Sequence, residues 1–215
     1  MILTLDVENT VTKRNGKLHL DPFEPTNTLV MVGMLDDHGN ETIVTFDHAE
    51  QQPTKDGRRI VQDKLDAAHL LIAHNAPHDL LWLWESGFTY DGEIFDTMLG
   101  EYILQRGQKE PLSLEACAER YDLDTKKQDT LKAWLKSGKS VRDMDHAELS
   151  EYLSADLHAT QQLYHNLGGQ YAACPTIIPT IKLTNQLALH LACIYQRGFQ
   201  VDMDALMEVR DEFEQ

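Results

Sequence analysis

The sequence predicts an α/β fold built on a mixed sheet with helical crossovers. Two patterns predict it. Apolar runs of strand length, joined without long helices, open the chain, and strand-like runs alternate with amphipathic helical segments after residue 57. The 215 residues are enough to bury one full core, with a modest extra segment left over.

The opening strands are predicted from short apolar runs separated by turn residues. Residues 2–8 form the first strand, and residues 10–20 form a small hairpin with an Asn-Gly turn. Residues 28–35 and 41–46 form two more strands, which a short polar turn joins. The sheet is therefore expected to begin with three antiparallel strands.

The middle of the chain alternates between helices and strands. A helix over residues 57–68 leads into residues 70–73, an apolar run too short for a helix and typical of a central strand covered on both faces. Asn75 can cap the next helix, and Gly87 ends it. Residues 93–97 are predicted to be a further strand that ends at a helix cap.

The rest of the chain is predicted to be helical. Three shorter helices come first, over residues 98–104, 113–121 and 130–137. A long helix begins at Asp145, and we expect the glycines at 168–169 to break it before a linker at residues 172–175. A second unit then holds a helix over residues 183–195 and a last helix capped by Asp202.

The composition is that of a soluble globular protein, with 42% hydrophobic and 25% charged residues. Cys117, Cys174 and Cys193 are an odd number without a C-x-x-C pair, which indicates reduced cysteines rather than a disulfide framework or a thiolate zinc site. We expect no signal peptide and no membrane-spanning run, and therefore a cytoplasmic protein without a membrane partner.

The charge balance limits how the protein can bind nucleic acid. Nineteen basic against 35 acidic residues give a net charge of −16, which argues against a broad basic binding surface. One basic cluster is present, and it is either a solvated helix face or a patch that contacts a nucleic-acid strand. Its members are Lys126, Lys127, Lys132, Lys136, Lys139 and Arg142.

Two carboxylates on the first strand are the first candidate site residues. Asp6 and Glu8 are two residues apart, so they emerge on the same face of a strand whose other residues are apolar. Like charges held close together in a buried place are costly unless a cation lies beside them. The pair therefore indicates either a metal site or a strand end that is simply hydrated.

Two further pairs have helical spacing. Asn75 and Asp79 lie one turn apart, although a helix dipole alone favours an acid such as Asp79 in a first turn. Tyr152 and Asp156 are neighbours on one face of the long helix, where each could also be an ordinary surface residue.

Taken in order, these features resemble the DEDD superfamily of 3′-5′ exonucleases. The D-x-E, N-x-x-x-D, F-D-T and Y-x-x-x-D motifs match its order and spacing, in the subclass with tyrosine in the third motif. Residues 96–102 and 112–121 resemble the proofreading domain of A-family DNA polymerases, particularly phage ones. We therefore divide the chain into an exonuclease domain at 1–170 and a helical segment at 171–215 that resembles the start of a polymerase module.

The resemblance implies a ribonuclease-H-like fold with strand order 3-2-1-4-5 and helices on both faces. It also implies two Mg²⁺ or Mn²⁺ ions, which hard oxygen ligands select. Tyr152 would orient the attacking water. The four carboxylates that would bind the metal are Asp6, Glu8, Asp79 and Asp156. The residues that would contact the substrate are Val7, Asn9, Asn75 and His78.

The implied activity is the release of nucleoside 5′-monophosphates from a single-stranded or frayed DNA 3′ end, in proofreading. No polymerase palm precedes Gln215, so the expected partner is a separate polymerase subunit or a missing polymerase module. The location would be cytoplasmic, in the host cytoplasm if the gene is a phage one. Two alternatives stay open, namely an exoribonuclease of the RNase D type and a catalytically silent domain that docks a polymerase.

Overall fold

The computed structural model describes residues 1–14, 17–123, 133–135 and 137–214. The turn of the predicted hairpin and half of the predicted helix at 130–137 lie outside the described residues, as do the first four lysines of the basic cluster.

A five-stranded sheet forms the centre of the fold. Its first two strands along the chain are antiparallel neighbours, and one further strand lies at each edge of the three central strands. The strands are β1 (Ile2–Asn9), β4 (Leu29–Asp36), β5 (Glu41–Thr45), β6 (Leu70–Ala73) and β7 (Glu93–Asp96), with β2 (Thr12–Arg14) and β3 (Lys17–His19) forming a separate hairpin.

The strand order is β5-β4-β1-β6-β7, which is 3-2-1-4-5 when the strands of this sheet are counted along the chain. β1 pairs antiparallel with β4 and parallel with β6, and β6 pairs parallel with β7. The predicted mixed sheet and its order are confirmed. The parallel strands follow helical crossovers because a parallel connection must return the chain to the same end of the sheet.

Seven α-helices are described. The helices at 57–67 and 97–105 agree with the predicted ones to within a residue or two. The helices are α1 (Gly57–Ala67), α2 (Ala76–Glu85), α3 (Thr97–Gln105), α4 (Leu114–Arg120), α5 (His146–Ala173), α6 (Ile178–Arg197) and α7 (Met203–Phe213), with short 3-10 turns at Val141–Asp143 and Pro175–Ile177.

The predicted break at Gly168 and Gly169 is wrong, because α5 continues through both glycines to Ala173. The buried seam of the helix carries on past them, with Leu167 before the pair and Tyr171 after it. Each glycine costs a helix about 1 kcal/mol relative to alanine, and packing on both sides of the pair offsets that cost. The predicted linker at 172–175 is accordingly the last turn of α5 followed by a 3-10 turn.

The C-terminal helices differ in how they meet the rest of the protein. α6 packs against α2, α3 and β7 through one face, made by Ile181, Asn185, Ala188 and Ala192. Every residue of α7 is exposed. By length and composition alone the segment 175–197 could cross a bilayer, so the expectation that the chain holds no such run is wrong.

Candidate active site

The end of β1 is open on the side where the parallel part of the sheet begins. β6 pairs with β1 only over residues 2–4, so the stretch that carries Asp6 and Glu8 extends past the β6 strand. The backbone N–H of Val7 donates instead to Asp79 Oδ1, at 3.2 Å. α2, which follows β6, thus fills the gap and brings its carboxylate onto β1.

A register shift lies between Glu8 and Asn9 in the pairing of β1 with β4. Such bulges bend a strand and redirect its side chains, and they are common beside active sites. The Glu8 side chain stays almost fully buried, at 9% exposure. The shift therefore marks the point where β1 leaves the regular sheet, directly after its second carboxylate.

Gly33 allows α5 to lie close to the sheet. It is the cross-strand partner of Asp6, and a Cβ added to it would lie 2.8 Å from Leu153 Cγ and 2.8 Å from Leu157 Cδ1. Glycine permits this close approach because it has no side chain. Asp156 lies on the same helix between these contacts, so the close packing brings it to the Asp6 side of the sheet.

Electrostatic coupling shows that the predicted carboxylates share one region. Burial and the charge of the nearby Asp156 raise the pKa of Asp6 to about 8, against a smaller lowering by the Val7 backbone. Burial also raises the pKa of Glu8 well above its ordinary value, with Asp6 and Asp156 adding to the effect. Without a cation, this cluster therefore holds protons near neutral pH.

Asp79, the carboxylate of the N-x-x-x-D motif, is the most buried of the four predicted metal-binding acids. Asp79 is 1% exposed, and burial, with the charges of Asp6 and Asp96, raises its pKa well above the usual value. Its hydrogen bond to Val7 N, described above, fixes one carboxylate oxygen on β1. α2 therefore supplies an acid that is both desolvated and oriented.

Tyr152 lies beside the acids as a protonated phenol. Burial raises its pKa, and so do the charges of Asp156 and Glu8 and a hydrogen bond to Asp156. A phenol that donates its proton to Asp156 keeps its oxygen lone pairs to accept a hydrogen bond from water. The helical spacing of Tyr152 and Asp156 predicted from sequence thus gives a direct contact.

Within the described residues, no group of three or more His, Cys, Asp or Glu side chains has the spacing of a ready-made metal site. The residue types still fit a hard divalent cation, because the buried carboxylates of Asp6, Glu8 and Asp79 carry raised pKa values that a positive charge would lower.

Asp96 holds the start of α2 in place. Its Oδ1 accepts from Asn75 N and its Oδ2 from Ala76 N, each at 3.1 Å, and Oδ1 also caps α3 through the N–H groups of Met98 and Leu99. Asn75 occupies the N-cap position of α2 but makes no side-chain cap bond, so the predicted cap by Asn75 is wrong. The sequence indicated Asp96 only as the cap of the helix that follows it.

The four predicted substrate-contacting residues lie around the end of β1 and the start of α2. His78 Nε2 lies 3.2 Å from Asn9 Oδ1, which joins the two elements, and burial lowers the pKa of His78. Asn75 is exposed, with a left-handed backbone at φ 74°. The Val7 side chain belongs to the hydrophobic core, which leaves its backbone as the part nearest the acids.

The described part of the basic cluster is engaged within the protein. Arg142 Nε pairs with Asp47 Oδ1 at 2.8 Å, and Lys139 Nζ lies 4.2 Å from the centre of the Trp134 ring. The first contact ties the segment before α5 to the residues that follow β5, and the second lies within that segment. The two alternatives, a solvated helix face and a patch that contacts nucleic acid, both stay open for these residues.

Sequence reasoning missed two positions that shape the site. Gly33 lay inside an apolar strand, and only its pairing with Asp6 shows that it admits α5. Asn185 lay in a segment separate from the motifs, yet its Oδ1 accepts a hydrogen bond from Asp96 N at 2.7 Å. A glycine in a strand is a sequence signal for close approach, whereas Asn185 carries no such signal.

Comparison with known protein families gives one match that covers most of the chain. The family model described as a 3′-5′ exonuclease, from the exonuclease domains of A-type DNA polymerases, matches residues 24–171. DNA polymerase I of Synechocystis sp. is 26% identical over 148 residues, which are 68% of this chain. The chain spans 15% of that relative's length.

Solved structures share the fold at low identity. A structure described as the apo form of the nuclease has a TM-score of 0.65 at 18% identity and covers 92% of this chain and 85% of its own. The structure of Brucella melitensis NrnC with bound Mg²⁺ has a TM-score of 0.64 at 17% identity, and the match covers 92% of this chain and 86% of that one. The structure of the POL domain of Pol1 from M. smegmatis, in complex with DNA primer-template and dNTP, has a TM-score of 0.62 at 16% identity. The match covers 98% of this chain and 31% of that one. The fold is thus the ribonuclease-H-like exonuclease fold.

Proposed function

Because this chain belongs to the 3′-5′ exonuclease family of A-type DNA polymerases, we propose that it hydrolyses DNA from the 3′ end with two divalent metal ions. The observation that carries the proposal is the convergence of Asp6, Glu8, Asp79, Tyr152 and Asp156 at one end of the sheet, coupled strongly enough to raise one another's pKa values.

The proposed ligands are Asp6, Glu8, Asp79 and Asp156, and the ions are Mg²⁺ or Mn²⁺, which prefer carboxylate oxygens. When bound, a pair of such ions activates a water and stabilises the oxygen that leaves. Asp6 is central among the acids because its charge acts on both Glu8 and Asp79. The divalent cations would lower the pKa values of these acids and so favour their ionised forms.

In the proposed mechanism the protein's own groups position the reactants. Tyr152 donates a hydrogen bond to Asp156 and would accept one from the attacking water, which would fix the direction of attack. Asn9, His78, Asn75 and the Val7 backbone would hold the terminal nucleotide beside the acids. The site lies at the end of β1 among buried groups, so an unpaired 3′ terminus would enter more readily than a duplex end.

The product would be nucleoside 5′-monophosphates, in a proofreading role beside a DNA polymerase. The similarity to DNA polymerase I of Synechocystis sp. supports this role. We propose further that the helical segment at 171–215 is the start of a polymerase module. The polymerase would be a separate subunit or a further module, and the location would be cytoplasmic with no membrane partner. α6 packs on the domain through a specific face, which supports its being part of a folded protein rather than a membrane span.

RNA is the second candidate substrate. NrnC, whose fold is similar, has been solved bound to pGG, which supports a short oligonucleotide ligand. The sugar 2′-OH is the group that lets a protein distinguish RNA from DNA. Matched DNA and RNA oligonucleotides therefore decide between the two substrates.

The test follows the shortening of a 5′-labelled single-stranded DNA oligonucleotide with Mg²⁺, Mn²⁺ or EDTA. We expect a metal-dependent ladder that shortens from the 3′ end and a loss of about 10³-fold or more in the Asp6→Ala variant, since a lost metal ligand removes several kcal/mol of transition-state stabilisation. The matched RNA oligonucleotide is run in parallel. A folded protein that makes no ladder with either substrate would contradict the proposal and favour a silent docking module.

A further inference from the structure

A hydrogen bond connects α6 to the proposed nuclease domain. Asn185 is on α6, beyond the residues 24–171 that match the exonuclease family. It is 4% exposed, and its Oδ1 accepts from Asp96 N at 2.7 Å while its Nδ2 donates to Ile181 O at 2.9 Å. Both polar ends of this buried amide are therefore paired, one of them across to β7.

The residue that Asn185 holds is the last one of β7, and β7 is an edge strand. An edge strand has no further strand to fix it, so a side chain that binds its backbone takes over that role. The Asp96 carboxylate is fully buried and accepts four backbone N–H groups, which start α2 and α3. The position of Asp96 thus sets where these two helices begin.

α2 continues the connection to the carboxylate cluster. Asp79 is the fourth residue of α2, one turn after the N–H groups of Asn75 and Ala76 that Asp96 binds. Its Oδ1 accepts from Val7 N on β1. A displacement of Asp96 would move the first turn of α2 and therefore Asp79, whereas Asp6 and Glu8 on β1 would stay in place.

We propose that Asn185 is a positioning residue for the nuclease site, acting through Asp96 on the orientation of Asp79. The inference rests on the proposed function, and it makes α6 a working part of the nuclease. Partners of hydrogen-bonded ligands set the geometry of metal sites, and their loss typically weakens metal binding about 10–100-fold.

A competing explanation is that Asn185 only helps α6 to pack, because α6 also contacts the domain through Ile181, Ala188 and Ala192. The Asn185→Leu variant separates the two. It keeps a side chain of similar volume on the packed face but removes the acceptor for Asp96 N. Ile181→Val is the matched control, since it loosens the same face of α6 by one methylene and leaves the Asn185 bond intact.

Two readouts are measured on the full chain. The first is the rise in melting temperature that Mg²⁺ causes without substrate, and the second is the Mg²⁺ concentration for half-maximal cleavage of single-stranded DNA. We expect Asn185→Leu to raise that concentration about 10-fold and to reduce the Mg²⁺-induced rise. Ile181→Val should lower the melting temperature without changing either Mg²⁺ response. If Asn185→Leu does not fold, Asn185→Ala is measured in the same way.

A double variant tests whether Asn185 acts on the metal site through Asp79. When Asp79→Asn already removes the carboxylate, adding Asn185→Leu should change the Mg²⁺ response no further, because the two act in series. A further loss of similar size would overturn the inference, as would equal Mg²⁺ responses in Asn185→Leu and Ile181→Val. A wild type without any Mg²⁺ response would instead overturn the proposed function and this inference with it.

Discussion

The pKa values of two acids on neighbouring strands, Asp36 and Asp6, are shifted in opposite directions. Asp36, the last residue of β4, accepts hydrogen bonds from His38 N, from the backbone and side chain of Asn40 and from Lys64 Nζ. Burial alone would raise the pKa of Asp36, but these bonds together lower it to about 2. For Asp6 on β1, burial and the charge of Asp156 outweigh the backbone hydrogen bond that lowers its pKa, and the pKa is raised to about 8.

The difference separates an acid that stabilises the fold from acids that destabilise it. Asp36 is ionised and satisfied, so its charge favours the folded state at neutral pH. The cluster around Asp6 is buried and self-repelling, and it keeps its charge only when a cation compensates for it. Perturbation of this kind concentrates at functional sites, where stability is lost in exchange for chemistry.

The largest effect should come from Asp6→Asn, which should act on activity and stability in opposite directions. Cleavage should fall about 10³-fold or more, because the amide is a poor metal ligand. The metal-free protein should melt higher at pH 8, by roughly 2–4 °C for each kcal/mol gained. Because the folded pKa of Asp6 is raised, its contribution to stability is lost as pH rises from about 4 to about 8, and asparagine does not titrate.

The measurement is thermal unfolding in EDTA and in Mg²⁺ at pH 5 and pH 8. In EDTA, the melting temperature of Asp6→Asn should exceed that of the wild type by a small amount at pH 5 and by a larger amount at pH 8. Mg²⁺ should reduce this difference, because it stabilises the wild type alone. A variant that melts below the wild type at pH 8 in EDTA would show that Asp6 is not the destabilising acid that its raised pKa implies.

A smaller effect is expected from Gly33→Ala, which tests the packing that brings α5 to the site. The new methyl would lie 2.8 Å from both Leu153 Cγ and Leu157 Cδ1, and such overpacking typically costs about 1–3 kcal/mol. Since α5 carries Tyr152 and Asp156, we expect cleavage to fall more than the loss of stability accounts for.

Gly168→Ala is the matched control for this substitution, because Gly168 lies within α5 and no described residue lies within 4 Å of where its Cβ would be. Alanine there should leave activity intact and stabilise slightly, by about 0.4–1 kcal/mol. Urea unfolding and the cleavage assay are measured for both variants. Equal activity in the two would mean that α5 can shift without moving Tyr152 and Asp156, the residues proposed to act in the site.

The smallest effect is expected from Asp36→Asn, which removes the stabilised charge and does not alter any residue of the proposed nuclease site. Its folded pKa is lowered to about 2, so the contribution of Asp36 is present above about pH 4 and is lost as pH falls through 2. We expect a loss of about 1 kcal/mol at pH 7, the usual scale of a weakened hydrogen bond.

Urea unfolding at pH 7, 3 and 2 measures this loss, and the wild type and the variant should converge at the lowest pH. Cleavage should be unchanged at pH 7. A difference that stays constant from pH 7 to pH 2 would show that the side-chain shape rather than the charge of Asp36 stabilises the turn.

The sequence by itself determined the parts of the protein that depend on local spacing. Alternation along a strand places Asp6 and Glu8 on one face, and the turn of a helix places Tyr152 next to Asp156. The run of strands and helices predicted the mixed sheet, and the resemblance to the exonucleases supplied its order. The two same-face pairs were predictable because each depends on residues close in sequence, whose geometry the backbone fixes, whereas the strand order came from the resemblance.

The tertiary structure decided what depends on distant residues. Asp96 caps α2 from 20 positions downstream, where Asn75 does not, and Asn185 reaches Asp96 from 89 positions away. α5 runs through Gly168 and Gly169 because residues on either side are buried against other elements. Propensity and spacing carry no information on such contacts, since the free energy that selects them arises only when the elements pack together.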